Sequence, residues 1–244
     1  MKWDPPDTWK KMAEFLSSVS KRVTPAPKAV LVISGHWEEP EFTVGSNPRP
    51  SLIYDYSGFP PETYRLKYDA PGSPELAQRV VGLLSDAGIP VRSDPQRGFD
   101  HGVFIPFKLV YPDANIPMVQ LSLKAGLDPA AHIAAGQALA PLRSEGILIV
   151  GSGMSYHNLR SFFAGGANPP SDRFDAWLTS AVTGHGAAQK LLEWRNAPSA
   201  RDAHPREEHL IPLMVAVGAA EQDRGMRIYE DHVMGSAISA YQFG

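Results

Sequence analysis

The 244-residue chain contains no cysteine. That excludes a disulfide framework, a thiolate metal site and a cysteine nucleophile, so any metal must be held by nitrogen and oxygen. Nor is there an excess of positive charge: 23 Lys and Arg stand against 26 Asp and Glu, a formal net charge of −3. Without a basic stripe there is no electrostatic footprint for nucleic acid, and none is expected as a partner. No apolar run approaches the roughly 20 residues needed to cross a bilayer, so no membrane partner is expected. The opening Met1-Lys2-Trp3-Asp4-Pro5-Pro6 lacks the apolar stretch of a secretory signal peptide. A cytoplasmic protein is the plain reading of these absences, and a monomer or small homo-oligomer is the expected state. What is present, 43% hydrophobic and 20% charged residues, is ordinary globular composition over a length that buries a sizeable core.

Hydrophobic periodicity alternates between two patterns. Val30-Leu31-Val32-Ile33 is a continuous apolar run ending in Ser34-Gly35, as expected of a strand buried on both faces. Pro74 to Ala87 carries Leu76, Val80, Leu83 and Leu84 at helical spacing and stops at Gly88. Ile116 to Leu123 reads as a strand. Asp128 and Pro129 suit the N-cap and first turn of a helix reaching about Arg143. Ile147 to Val150 is a further strand, closed by Gly151-Ser152-Gly153. Helices are predicted at about 172–183 and 205–219, and strands at 226–232 and 236–243. Strands alternating with helices give an α/β fold: a single domain, 1–244, with a central, mainly parallel or mixed sheet covered on both faces. No repeat, low-complexity tract or composition break divides it.

In such sheets ligands sit beyond the carboxyl ends of the strands. His36 follows one apolar strand directly, and His157 lies just beyond the Gly-Ser-Gly that closes another. Imidazole is the commonest protein metal ligand and titrates nearest neutrality. The spacing is equally compatible with surface-loop or capping histidines. His209 falls near a predicted helix start, where the dipole favours neutral imidazole; that suits a ligand or a cap. His101, between Asp100 and Gly102, reads as a turn residue. His132, His185, His204 and His232 are assigned structural or solvent roles, and Arg206-Glu207-Glu208 is read as a solvated first helical turn.

Eight stretches together carry a family resemblance. They are Ser34-Gly35-His36-Trp37-Glu38, 54–60 (Tyr-Asp-Tyr-Ser-Gly-Phe-Pro), 68–74 (Tyr-Asp-Ala-Pro-Gly-Ser-Pro), Gly98-Phe99-Asp100-His101-Gly102, Pro117 to Leu123, Gly151-Ser152-Gly153, His157-Asn158-Leu159-Arg160, and Pro205 to Leu213. In this order and spacing the chain resembles the class III (protocatechuate 4,5-dioxygenase-like) extradiol ring-cleavage dioxygenases, most closely their DOPA 4,5-dioxygenase-like branch. The resemblance implies a non-haem metal enzyme that opens a catechol-type ring with O2, its partners being a small aromatic diol and O2. It implies metal ligation by His36 and His209, acid–base catalysis by His157, and a substrate- or oxygen-binding role for His101. His157 is also implied as a third ligand when zinc is bound. Fe(II) is the metal expected for turnover, since Zn(II), which can occupy such sites, has no redox chemistry. Tyr54, Tyr56 and Phe59 are expected beside the aromatic substrate.

One departure affects the expectations. The family normally carries a strand ending in a ligating His-Gly before the His-Trp motif, and no histidine precedes His36 here. The sequence therefore reads as lacking its first strand, through an internal start or true loss, with Asp4 or Asp7 as oxygen substitutes. Metal binding is then the firmer expectation and oxidative turnover the weaker one. Two alternatives stay open: a zinc-dependent hydrolase using the same cluster, and a non-catalytic binding protein on the same fold.

Overall fold

The computed structural model describes residues 7–244. Its centre is a five-stranded sheet made of β1 (Ala29–Glu39), β2 (Phe42–Gly45), β3 (Val91–Asp94), β4 (Met118–Lys124) and β5 (Ile147–Ser152), in the order β3-β2-β4-β1-β5. β1 pairs in parallel with both β4 and β5, and β2 in parallel with β3; only β2 against β4 is antiparallel. The expected mainly parallel sheet is thus present.

The apolar run of β1 explains its central position. Successive side chains point to opposite faces, so Leu31 and Ile33 enter one core while Val30 and Val32 enter another. The first core is closed by α2 (Pro74–Asp86), α4 (Pro129–Leu139), α7 (Pro169–Thr183) and α10 (Ile211–Ala220). The second is closed mainly by α3 (His101–Val110), with Leu16 and Val19 of α1 (Lys10–Arg22) packed at its edge. Short helices α5 (Pro141–Ser144), α6 (Leu159–Ala164), α8 (Ala187–Leu192) and α9 (Ala200–Ala203) join the larger ones. A separate antiparallel hairpin, β6 (Gly225–Val233) and β7 (Ser236–Phe243), ends the chain. Among the described residues no helix is long and apolar enough to cross a membrane.

Several boundaries differ from expectation, mostly at prolines. The helix expected to reach Arg143 stops at Leu139, and Pro141 opens α5, because proline lacks the N–H that a continuing helix needs. Residues 205–210 are turn rather than helix, and α10 begins at Ile211 with Pro212 in its first turn. His209 therefore precedes a helix instead of lying within one. The helix expected from residue 172 starts at Pro169 for the same reason. The strand expected at 116–123 spans 118–124. Neither α1, α3, β2 nor β3 was expected. β2 and β3 have four residues each, too few to show a period, and α3 carries Pro106 inside it.

The helix that follows His209 is seated by bare backbone. A Cβ at Gly136 of α4 would collide with the Val215 carbonyl oxygen, and one at Gly218 of α10 with that of Ile133. The two helices cross there without side chains between them. Alanine exceeds glycine in helix propensity by about 1 kcal/mol, but overpacking a close contact costs about 1–3 kcal/mol. Gly218→Ala should therefore lower the urea unfolding midpoint; a raised midpoint would show that the crossing has room to spare.

Candidate metal centre

The β1–β4 ladder is regular to Ile33, breaks, and resumes at Glu38. His36 lies inside this irregularity, which re-aims the strand's side chains at its exit. Three glycines then admit the segment leading into α10. A Cβ at Gly35 would press on the Glu208 carbonyl oxygen, and one at Gly153 would collide with that of His209. At Gly151 the Pro212 carbonyl would lie 2.5 Å from it. The backbone of 208–212 thus rests directly on the exits of β1 and β5.

The consequence is a row of four imidazoles. His101 and His36 have ring centroids 3.9 Å apart, His36 and His209 4.7 Å, and His209 and His157 3.4 Å, the last pair stacked at 17°. His36, His157 and His209 are brought together, with His101 at the far end. His101 is the first residue of α3, not a turn residue.

A carboxylate stands at each end of the row. Asp55 Oδ1 accepts from the His101 backbone N–H at 3.0 Å and lies 2.7 Å from its Nδ1. Glu208 Oε1 lies 3.1 Å from His157 Nδ1. Burial pushes both carboxyl groups up, but hydrogen bonds from the neighbouring histidine and the backbone, together with nearby positive charge, leave both below their ordinary values. The two central rings have no such partner. His209 is 7% exposed, and its Nδ1 is buried without a hydrogen-bond partner among the described residues. Burial, reinforced by His157 and His36, pulls its pKa down to about 2. His36 is lowered too, first by burial and then by His101. Both are neutral imidazoles at neutral pH, the form that binds metals. The ligand atoms of His36, Asp55 and His101 lie within 4.8 Å of one another, as do those of His157, Glu208 and His209.

Of the expected aromatic residues, Tyr56 sits edge-on to His101 at 5.5 Å, Phe59 lies 5.3 Å from Tyr56, and Tyr54 lies 5.7 Å from Phe104. Tyr54 and Tyr56 donate their hydroxyls to the Leu66 and Thr63 carbonyls, so what remains free is aromatic surface. The structural roles expected elsewhere hold for buried His132, bonded to Asp128 O and Lys124 N, and for buried His204, bonded to Ser155 O. The reading of 206–208 as a solvated turn is corrected: Glu207 is buried between Arg195 and Arg201, and Glu208 faces His157. Asp7 belongs to neither ligand group; it lines a surface cleft with Lys11 and His232. Asp4 lies outside the described residues. Asp55 and Glu208 were missed as site residues, although both stand in the stretches that carry the resemblance.

A row of contacting imidazoles, its two inner rings neutral and its ends backed by carboxylates, at the exits of parallel strands defines a metal-dependent α/β enzyme. Residues 4–244 match the family described as the catalytic LigB subunit of aromatic ring-opening dioxygenase, and the chain belongs to that family. It is 41% identical to a Beta vulgaris protein named 4,5-DOPA dioxygenase extradiol, over 97% of this chain and 91% of that one. An Escherichia coli protein of the same name is 39% identical over 80% of this chain and 73% of its own. The crystal structure of an uncharacterized Escherichia coli K12 protein superposes with a TM-score of 0.81 at 34% identity, covering 95% and 92% of the two chains. The activity is therefore extradiol ring cleavage of an aromatic substrate with O2 by a non-haem metal, in preference to the hydrolytic and non-catalytic alternatives. The residues fit such a metal: the donors of both groups are all nitrogen or oxygen, and His209, a member of one, has a buried Nδ1 with no hydrogen-bond partner among the described residues.

Buried neutral histidines make a testable demand on pH. Unfolded histidines take up protons near pH 6.5, whereas folded His209 and His204, at about 2 and about 4, do not. The unfolded state therefore binds more protons below pH 6.5, and stability falls as pH falls. The slope is on the order of 1.4 kcal/mol per pH unit for each such histidine. Metal-free protein should unfold at clearly lower urea at pH 5 than at pH 7.5. Equal midpoints would contradict the neutral burial of these rings.

Proposed function

We propose that the chain opens a catechol-type diol with Fe(II), held by His36 and His209, while His157 moves the substrate proton and His101 binds substrate or oxygen. The observation that carries the proposal is the contact of His36 and His209 with each other between two carboxylate-backed rings, His101 and His157. Fe(II), when bound, supplies the electron exchange that O2 requires and that Zn(II) lacks. Zn(II) is proposed as an alternative occupant, with His157 as third nitrogen. The catalytic domain is proposed to comprise residues 1–244 and to act in the cytoplasm as a monomer or small homo-oligomer.

Each role follows from what the side chain already holds. With Nδ1 engaged by Glu208, His157 keeps Nε2 to accept a hydroxyl proton from the diol and return it during ring opening. With Nδ1 engaged by Asp55, His101 likewise keeps Nε2 for a hydrogen bond to substrate or oxygen, where charge develops. Tyr56 and Phe59 offer ring faces and edges to an aromatic substrate next to His101.

His157→Ala separates proton transfer from metal retention. Loaded anaerobically with Fe(II) and then given a catechol and O2, the variant should keep its circular dichroism and part of its metal. O2 uptake should fall by about a hundredfold or more. Parental uptake in the variant would remove the acid–base role, and substrate turnover without O2 consumption would remove the ring-cleavage chemistry.

A further inference from the structure

Asp100, which the site described so far does not use, lies directly behind it. It is fully buried and stands at the N-cap of α3, yet its side chain makes no capping hydrogen bond. An N-cap aspartate ordinarily accepts from the first-turn amides. Here the carboxylate turns inward instead. Oδ1 accepts from Ser34 Oγ at 2.8 Å, and Oδ2 accepts from Gln120 Nε2 and from Arg97 Nη2 at 3.2 Å. Gln120 gives an amide hydrogen to this carboxylate while its own Oε1 stays buried without a partner among the described residues, an arrangement that costs stability.

The partners lead to both rings at one end of the row. Ser34 Oγ, besides donating to Asp100, accepts from the backbone N–H of His36 at 3.2 Å. Asp100 directly precedes His101. Arg97 lies 4.6 Å over the ring of Trp37, the residue after His36, while its guanidinium reaches Asp100. Gly102 completes the seat: a Cβ there would lie 2.9 Å from His36 Cδ2 and 3.1 Å from Asp100 Oδ1, and its carbonyl accepts from Ser152 Oγ of β5 at 2.5 Å. Ser34 of β1 and Gln120 of β4 are therefore tied to one carboxylate at the start of α3, and β5 joins the same helix start through Ser152.

We propose that Asp100 is a positioning residue that sets His36 for the metal through Ser34, and its ring against His101. This rests on the reading of His36 as a metal ligand. Asp100→Asn is nearly isosteric and still offers Ser34 an oxygen, but it turns an NH2 group toward the donors of Gln120 and Arg97. Removing a group that orients a ligand typically weakens metal binding ten- to a hundredfold.

The test is the Zn(II) dissociation constant, by competition with a chromophoric chelator, for the parent, Asp100→Asn, Ser34→Ala and the double variant, well below each unfolding midpoint. Asp100→Asn should raise the constant tenfold or more. Ser34→Ala should raise it severalfold, and the double variant should show less than the product of the two, since one path carries both effects. If Asp100→Asn does not fold, Ser34→Ala decides alone. Lowered unfolding midpoints with dissociation constants within twofold of the parent would overturn the inference and leave Asp100 a purely structural residue. A parent that binds no Zn(II) would remove the ligand reading itself, and this inference with it.

Discussion

The contact between the 208–212 backbone and the exits of β1 and β5 is a main-chain constraint from which the chemistry of the centre follows. It exists because Gly35, Gly151 and Gly153 present no Cβ to the carbonyls of Glu208, Pro212 and His209. Seated backbone on backbone, His209 is buried, with its ring between those of His157 and His36. A charged imidazole in that place would be desolvated beside other rings able to carry charge, and the proton is expelled. Packing thus delivers the unprotonated nitrogen that a metal needs, without a separate device for lowering basicity.

The ends of the row are built on the opposite principle. Asp55 and Glu208 each hold an Nδ1, which fixes ring orientation and leaves Nε2 for other partners. The inner rings, hydrogen-bonded to no carboxylate among the described residues, are suited to share lone pairs; the outer rings, each anchored at Nδ1, are suited to present Nε2 to substrate. On the proposed mechanism this division puts proton transfer at His157 on one flank and a hydrogen bond to substrate or oxygen at His101 on the other, with His36 and His209, the residues that would hold the metal, between them. Glu208 is itself held by Arg206, which also pairs with Glu38 two residues beyond His36. The outer pair at His157 is thereby tied back to the strand that carries an inner ring.

The parts legible in the sequence were those encoded in contiguous runs. The apolar 30–33 and 147–150 segments, each closed by glycine, marked two neighbouring strands and their shared exit. The quoted stretches were specific enough to name the family that the match over residues 4–244 shows. The carboxylates were not legible as partners, because each meets its histidine across 46 or 51 residues of chain. Glu208 was especially concealed: Arg206-Glu207-Glu208 has the composition of a solvated turn, and only the close approach at Gly35 turns it inward. Asp100-His101-Gly102 has turn composition, and Pro106 obscures the helix that begins at His101.

The two faces of the sheet show what accommodating such a site requires. On the larger core's face β4 contributes Val119, Leu121 and Leu123 without interruption. On the other face the apolar series of Val30, Val32 and Met118 gives way toward the strand exits to Ser34, Gln120 and Ser122, all buried. Aliphatic residues there would pack without desolvating polar groups, and replacing buried ionic networks by such residues is often neutral or stabilising. The polar residues at this end are therefore poorly explained by stability alone, given that Gln120 Oε1 and Arg97 Nε have no partner among the described residues. Hydrogen bonds have directions that methyl groups lack, and they tie Ser34, beside His36, to the carboxylate that precedes His101. Local rules of burial are broken where side-chain orientation matters more than packing, and in this chain the break falls immediately behind His36.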